Sequence, residues 1–320
     1  MHFIACCFKK RAMKNIILSF FALIVGLQVQ AQQEAMFTHY SFNTLAVNPA
    51  YAGSRDALTI TGLGRFQWVN FEGAPKTNTL TAHAPILNEN LGVGLSFLND
   101  RIGPTNSNSI FIDLAYKIKV GPGKLAFGLK GGVNMLNNDL NSLTAIDDND
   151  EFLAGVNTPT QILPNVGAGL YYNTEKYYVG LSTPRLLEND FKNSIVTQAK
   201  EARHYYLIAG TVFSISKKQN IKLRPTALVK VTQAAPVELD LTALVYFNDV
   251  FWVGPMFRTG DAAGILAGLN VTDQFSFGYS FDWSYTNKTI TYKNYGSHEL
   301  MLRYDLFYNN KQKIRSPRYF

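Results

Sequence analysis

The sequence predicts an all-β fold, a transmembrane antiparallel β-barrel of about 14 strands with short periplasmic turns and longer extracellular loops. Three observations predict it. Apolar and polar residues alternate along segment after segment, which is the side-chain period of a strand with one apolar face. The segments are about ten residues long, the length that a tilted strand needs to cross a bilayer. Short turns alternate with longer connections, as in outer-membrane barrels.

The clearest alternation lies in the stretch 109–135. Ile110 and Ile112 share one face of its first half, whereas Asp113 lies on the other face. Gly121-Pro122-Gly123 in the middle favours a tight hairpin, because glycine tolerates unusual φ angles and proline offers no ladder donor. We expect the apolar faces of such strands to meet lipid and the faces with Lys, Asp, Ser and Gly to line the lumen.

The predicted strands repeat this alternation along the chain. They cover roughly 57–68, 76–86, 91–98, 107–120, 123–136, 161–173, 177–183, 204–215, 221–231, 236–247, 250–258, 262–271, 274–283 and 297–307. Short turns are expected at 88–90, 121–123, 173–176, 216–220, 248–249 and 272–273, and longer connections at 69–75, 99–106, 137–160, 184–203 and 284–296. The connections at 232–235 and 259–261 are short, although they lie at the end of the barrel where the longer connections are expected. An even number of strands leaves both chain termini in the periplasm.

The first 31 residues have the pattern of an export signal. Basic residues precede an apolar core over 16–27, and Val29-Gln30-Ala31 ends in the small residue that a signal peptidase requires. Either Met1 or Met13 is the natural start, and Met13 begins the more typical signal. We divide the chain into a signal peptide (1–31), an N-terminal periplasmic or plug-like segment (32–56), the outer-membrane β-barrel (57–307) and a basic C-terminal tail (308–320).

Removal of the signal changes the cysteine content and the charge. The mature chain is expected to begin near Gln32 and to lack cysteine, because Cys6 and Cys7 both lie in the signal. Disulfides and thiolate metal sites are therefore excluded. Without the four basic residues of the signal, the formal net charge falls from +7 to +3. No basic stripe with interleaved aromatic residues remains, which argues against nucleic-acid binding.

A soluble all-β sandwich is the alternative to the barrel. It would bury one face of each of two stacked sheets and would need no aromatic residues outside. The export signal, the aromatic strand ends and the unequal connections favour the barrel. Its last strand must pair with its first, because hydrocarbon offers no water to a free sheet edge. No run of about 18 apolar residues follows the signal, so no membrane-spanning helix is expected.

Several distinct short motifs lie along the mature chain, each at one position. The most distinctive is Asn48-Pro49-Ala50-Tyr51-Ala52-Gly53. The others are Phe37-Thr38-His39-Tyr40-Ser41-Phe42-Asn43, Arg65-Phe66-Gln67-Trp68, Gly73-Ala74-Pro75-Lys76-Thr77, Leu91-Gly92-Val93-Gly94, Asn99-Asp100-Arg101-Ile102-Gly103-Pro104-Thr105, Tyr279-Ser280-Phe281-Asp282 and Gly296-Ser297-His298-Glu299-Leu300. Together they resemble the PorP/SprF family of type IX secretion outer-membrane proteins. The basic tail after Leu306 departs from the family, whose members commonly end soon after the last strand.

The resemblance implies an integral protein of the outer membrane of the Bacteroidota, with a role in type IX secretion or gliding motility. Family members are paired with secreted, adhesin-like proteins that carry a type B C-terminal sorting domain. They assist the secretion of that partner or anchor it at the cell surface. The implied partners are this secreted protein, other type IX secretion components and outer-membrane lipid or lipopolysaccharide.

No group of residues has the spacing of a catalytic or metal site. The mature histidines are His39, His83, His204 and His298, and they are scattered, so hydrogen bonding is the expected role rather than metal ligation. The sequence therefore predicts neither an enzyme nor a cofactor. The strand glycines do not precede helices, so they are expected to permit strand bending and close packing in the lumen rather than to bind phosphate. These glycines are Gly128, Gly131, Gly132, Gly167 and Gly169.

Two charged segments have alternative interpretations. Asp147, Asp148 and Asp150 in the longest loop offer oxygen ligands for Ca²⁺, but without EF-hand spacing, so a solvated acidic loop is preferred. The tail carries Lys311, Lys313, Arg315 and Arg318. A solvated tail is preferred there, with contact to periplasmic secretion components as the alternative.

Six residues at the outer strand ends are candidates for partner binding, namely Arg65, Gln67, Trp68, Asn99, Asp100 and Arg101. Arg and Trp dominate interface hot spots, which favours a partner anchor. An aromatic girdle with rim ion pairs is the alternative. For the whole protein, the two hypotheses are a non-enzymatic barrel that binds a secreted partner and a passive channel for small solutes.

Overall fold

A computed structural model describes residues 36–86, 90–139, 159–190, 201–233, 235–286 and 295–306. The elements, in chain order, are helix α1 (Thr44–Val47), a 3-10 turn (Pro49–Tyr51) and strands β1 (Leu58–Phe66), β2 (Lys76–Ile86), β3 (Leu91–Ile102), β4 (Thr105–Val120), β5 (Gly123–Asn138), β6 (Gln161–Asn173), β7 (Tyr177–Thr183), β8 (His204–Thr211), β9 (Phe213–Ser216), β10 (Ile221–Thr232), β11 (Glu238–Phe247), β12 (Phe251–Arg258), β13 (Ala262–Asn270), β14 (Phe275–Ser284) and β15 (Ser297–Leu306). Among these residues, no helix is long and apolar enough to cross a bilayer.

The strands form one closed antiparallel sheet. Apart from β8 and β9, each strand pairs with its neighbours in sequence, and β1 closes the barrel by pairing with β15 from Leu58↔Leu306 to Phe66↔His298. Strands β8 and β9 both pair with β10 and are two halves of one barrel strand, interrupted at Val212. The barrel therefore has fourteen strands around its circumference, which confirms the predicted fold class.

The two faces of the sheet differ in polarity as the alternation predicts. Outward side chains such as Ile112 and Leu129 are 56% and 66% exposed. Inward side chains on the same strands, such as Asp113 and Lys130, are 0% and 5% exposed. An apolar belt thus faces the hydrocarbon and a polar wall faces the lumen, as expected for a barrel in lipid.

The two ends of the barrel differ in their connections. We call the end with the β4–β5 turn (Gly121-Pro122) the turn end and the opposite end the loop end. The longer connection predicted over 99–106 is wrong, because the β3–β4 ladder continues to Ile102↔Thr105 and only Gly103 and Pro104 remain between the strands. The upper part of this hairpin is polar on both faces, so the alternation that marks a strand is lost there while the backbone pairing continues.

Residues 36–57, which we call the plug segment, lie inside the barrel. Most of their side chains are buried, and their contacts run along the height of the lumen. Thr38 contacts Glu299, near the loop end of β15, whereas Arg55 contacts Asp305, near the turn end of the same strand. The segment therefore descends through the lumen towards the turn end and continues there into β1.

Candidate functional site

The Asn48–Gly53 motif lies against a part of the inner wall that is lined by glycine. A Cβ atom at Gly92 would overlap the Ala52 carbonyl, and one at Gly128 would overlap the Ala50 backbone. A Cβ atom at Gly169 would overlap the Asn48 side chain in the same way. The expected close packing of strand glycines is therefore found at Gly128, against the plug backbone, and at Gly169, against the Asn48 side chain.

The Asn48 side chain holds the motif in place through two hydrogen bonds, one at its amide oxygen and one at its amide nitrogen. Its Oδ1 accepts a hydrogen bond from the Ala50 amide at 2.9 Å, which caps the following 3-10 turn. Its Nδ2 donates to the Leu170 carbonyl at 2.9 Å on β6. Asparagine is suited to this position because it supplies an acceptor for the turn and a donor for the wall.

A buried ionic cluster holds the other half of the plug near the loop end. Glu299 accepts hydrogen bonds from the backbone amides of Thr38 (2.9 Å) and His39 (2.7 Å), and its Oε1 lies 2.7 Å from His39 Nδ1. Arg65 Nη1 lies 2.6 Å from Asp282 Oδ2 and 3.3 Å from Glu299 Oε2. We call these four side chains and Thr38 the latch cluster.

Burial makes the latch cluster sensitive to substitution. Arg65, Asp282 and Glu299 are each at most 2% exposed. In such surroundings, removal of one partner leaves an uncompensated buried charge, which costs about 3–5 kcal/mol. The cluster joins β1, β14 and β15 to the plug, so its integrity and the position of the plug depend on each other.

Further contacts complete the enclosure of the plug. Near the turn end, Lys117 donates to the Gly53 carbonyl at 2.5 Å and Arg55 pairs with Asp305 at 2.9 Å. In the middle, Phe42 stacks on Trp252 with ring centroids 4.7 Å apart. These contacts fix the plug by charge, hydrogen bonding and packing at several heights.

Tyr40 is a buried hydroxyl in the same enclosure. Its hydroxyl lies 3.0 Å from Thr226 Oγ1, and burial raises the pKa of the phenol well above its ordinary value. The neutral form is therefore favoured in the folded protein.

A small cavity lies between the plug segment and the barrel wall. That cavity measures about 40 Å³ and is lined by residues such as Phe37, Val47, Thr81, Phe111 and Lys130. A cavity of at least about 10–15 Å³ is needed for one water molecule, so it has room for water and not for a nutrient-sized solute. At this position the lumen is thus occupied by the plug segment.

The six candidates for partner binding do not form one surface. Arg65 faces the lumen in the latch cluster. Asp100 also faces inward, and it accepts a hydrogen bond from Thr77 Oγ1 at 2.6 Å. Asn99 and Arg101 lie on the outward face of β3, where Asn99 Nδ2 donates to the Asn108 side chain at 2.9 Å. Gln67 and Trp68 begin the β1–β2 connection. These six residues therefore do not form a single binding surface.

The β1–β2 connection forms an ordered aromatic edge at the loop end. Val69 exchanges two backbone hydrogen bonds with the β14–β15 connection, one with Gly296 and one with Tyr295, each at 2.9 Å. Phe71 and Tyr295 expose 37% and 69% of their surface there. We call Gln67, Trp68, Phe71 and Tyr295 the rim patch.

The histidines that the structure describes are hydrogen-bonding residues or core residues. His39 belongs to the latch cluster, and on the outer face His298 Nδ1 lies 2.7 Å from the Tyr279 hydroxyl. Among the described parts of the chain, no group of three or more His, Cys, Asp or Glu side chains is placed to hold a metal ion. The predicted signal peptide, the tail and the acidic residues Asp147, Asp148 and Asp150 lie outside the described residues.

Sequence reasoning missed the residues that hold the plug. Asp282 and Glu299 occupy inward positions of strands whose alternation was recognised, so their orientation was predictable. Their partners were not, because Thr38 and Glu299 are 261 residues apart in the chain. The available signal was the presence of acidic residues at inward positions, Asp282 on β14 and Glu299 on β15.

Comparison with known proteins identifies one family. A model described as type IX secretion system membrane protein PorP/SprF matches residues 29–304. No curated protein gives a significant match. Among solved structures, the outer membrane protein Omp33 of Acinetobacter baumannii is 9% identical over 79% of this chain and 100% of its own, with a TM-score of 0.47. The CymD monoaromatic hydrocarbon channel is 11% identical over 90% of this chain and 97% of its own, with a TM-score of 0.47.

Proposed function

Since this chain belongs to the PorP/SprF family of type IX secretion system membrane proteins, we propose that it is a non-enzymatic barrel that binds a secreted protein with a type B C-terminal sorting domain. It assists the secretion of that partner or anchors it at the cell surface. The chain is an integral protein of the outer membrane. Its loop end, by the short-turn rule for such barrels, faces the cell exterior.

The observation that carries the proposal is the occupied lumen. A passive channel needs an open path, whereas here the plug segment is held by the latch cluster, the glycine-lined wall and the Phe42–Trp252 stack. This arrangement supports a protein that works through its surface, and it gives no support to the alternative of a small-solute channel.

The rim patch is the surface that we assign to the partner. Trp and Tyr are enriched in hot spots because they bury a large area with few rotatable bonds. The backbone hydrogen bonds of Val69 hold the β1–β2 connection in place, so little conformational entropy is lost when a partner binds. Gln67 and Trp68, which the sequence proposed for this role, keep it here. Phe71 and Tyr295 are added to it.

Binding of a purified type B sorting domain to the mature barrel in detergent tests this assignment. Phe71→Ala/Tyr295→Ala should weaken binding at least about tenfold, because hot-spot truncations cost about 2 kcal/mol or more. Phe213→Ala/Phe251→Ala is the matched control, since these two aromatic residues are 54% and 38% exposed near the turn end. Unchanged affinity in the rim variant, or a wild-type barrel that does not bind the domain, would contradict the proposal.

Conductance across a planar bilayer separates the two hypotheses for the whole protein. The wild-type barrel is expected to be electrically silent. Stable ohmic openings of the wild type would favour the channel hypothesis instead.

The tail and the periplasmic side have a separate test. As a family member, the protein is expected to act with other type IX secretion components. We propose that the basic residues Lys311 to Arg318 contact such components below the membrane. Deletion of residues 311–320 should then reduce partner retention in cells, and full retention would remove the tail from the account.

A further inference from the structure

A polar patch covers the outward face of three neighbouring strands above the apolar belt. Asn78, Asn99 and Asn108 form one row across β2, β3 and β4, because Asn78 pairs with Asn99 and Asn99 with Asn108. The next row towards the loop end contains Lys76 opposite Arg101 and Arg101 opposite Asn106. We call these six residues the headgroup site.

The row directly below the headgroup site is apolar. Leu80 lies opposite Phe97, and Phe97 lies opposite Ile110. These side chains are 53%, 38% and 41% exposed on the lipid-facing surface. The change from apolar to polar residues therefore occurs at one height on all three strands, which places the headgroup site where lipid headgroups begin.

The charges of the headgroup site are unbalanced. Lys76 and Arg101 lie directly opposite each other, and like charges in that position destabilise a sheet. Both side chains are exposed, and no carboxylate among the described residues lies within ion-pair distance of either one. Asp100, which precedes Arg101 in the sequence, points to the inner face and accepts a hydrogen bond from Thr77. An anion between the two cations would remove the repulsion.

The amides of the site are already organised. Asn99 Nδ2 donates to both Asn106 Oδ1 and Asn108 Oδ1 at 2.9 Å. This network orders the polar surface next to Arg101 without neutralising it. A phosphate suits such a place, because a guanidinium and an ammonium both form charge-assisted hydrogen bonds with its oxygens.

We propose that the headgroup site binds the phosphate of a phosphorylated lipid in the outer leaflet, with Lys76 and Arg101 as the cationic ligands. The acyl chains of that lipid lie along the exposed side chains of Leu80, Phe97 and Ile110. The anchored lipid fixes the height of this side of the barrel in the membrane, next to the rim patch. The inference rests on the outer-membrane location and does not require the secreted partner.

The test uses the full mature barrel and defined lipids. Wild type is placed in micelles of an uncharged, phosphate-free detergent that contain a small amount of phosphorylated lipid A, the same lipid without its phosphate, or phosphatidylglycerol, and retained lipid is measured by native mass spectrometry. Lys76→Gln/Arg101→Gln should bind phosphorylated lipid A at least about tenfold more weakly, because hydrogen bonds to charged groups are worth about 1.5–3 kcal/mol each. Lys217→Gln/Lys218→Gln removes the same charge from an exposed turn at the other end and should change binding less than about twofold.

Each arm of the experiment distinguishes a source of the phosphate. Preference for the phosphorylated lipids over the dephosphorylated one supports the site, whichever phospholipid binds more tightly. Equal binding of phosphorylated and dephosphorylated lipid A overturns it, and so does equal binding by wild type and the double variant. Inorganic phosphate is tested alone in detergent, and its binding without any lipid preference would overturn the lipid assignment.

Thermal unfolding gives a second readout that a merely structural role would not produce. Without anionic lipid, Lys76→Gln/Arg101→Gln should unfold at the same temperature as wild type or higher, because the like-charge contact is removed. With phosphorylated lipid A, wild type should be the more stable of the two. A double variant that is less stable under both conditions would overturn the proposal.

Discussion

The close fit between the plug and the glycine-lined wall leads to a quantitative prediction at Gly128. A Cβ atom there would overlap the backbone of Ala50, and backbone cannot rotate away as a side chain can. Overpacking of this kind costs about 1–3 kcal/mol. If this free energy destabilises only the docked state of the plug, the population of the undocked plug rises between about 5-fold and about 150-fold.

Gly131→Ala is the matched control for Gly128→Ala. It is the same substitution three residues further along β5, and no heavy atom lies within 4 Å of the Cβ position at Gly131. Because alanine reduces the freedom of the unfolded chain, this change should be neutral or stabilising by about 0.4–1 kcal/mol.

A single cysteine in the plug reports the population of the undocked state. Ser41→Cys is nearly isosteric, its site is 6% exposed, and the mature chain is expected to contain no other cysteine. Its labelling by a maleimide in excess should accelerate by the factor above in Gly128→Ala and stay unchanged in Gly131→Ala. Equal labelling rates in the two backgrounds would refute the close fit between the plug and the wall.

Three further substitutions test other contacts of the plug. Glu299→Gln should destabilise the docked plug by about 3–5 kcal/mol in urea titration, whereas Glu188→Gln, at an ion pair whose carboxylate side chain is 40% exposed, should cost about 0–1 kcal/mol. Asn48→Asp keeps the acceptor for the turn but replaces the donor to the Leu170 carbonyl, so it should speed cysteine labelling, and an unchanged rate would show that this hydrogen bond is dispensable. Because the pKa of Tyr40 is raised in the folded protein, its contribution to folding stability is complete below the ordinary phenol pKa of about 10 and is lost as the pH rises above that value. Tyr40→Phe should therefore flatten the fall of the urea midpoint above pH 10.

The sheet could be predicted from the sequence because the residues of each strand alternate between apolar and polar according to whether they face lipid or the lumen. The bounds of β2, β6 and β7 follow from alternation alone, and the tight turn after Val120 follows from its glycine and proline. Where both faces of a strand are polar, as at Asn99 and its neighbours, that local signal disappears. The extension of β3 and β4 was missed for this reason.

The site could be predicted only in part. The distinctive Asn48–Gly53 motif marked the plug as important, and the strand glycines indicated close packing in the lumen. Which glycine meets which plug residue depends on the register of strands far apart in sequence, which no local pattern contains. The same holds for Arg65, whose charge suggested an outer surface although its carboxylate partners, Asp282 and Glu299, lie inside.

Hydrogen–deuterium exchange of residues 36–57 in outer-membrane vesicles tests most directly whether this segment closes the barrel. The amides of Thr38, His39 and Gly53 are bonded to wall side chains, so peptides from this segment should exchange as slowly as those from β1 and β15. Exchange at the rate of an unfolded chain, with β1 and β15 still protected, would show that the plug is not docked in the membrane and would contradict the account.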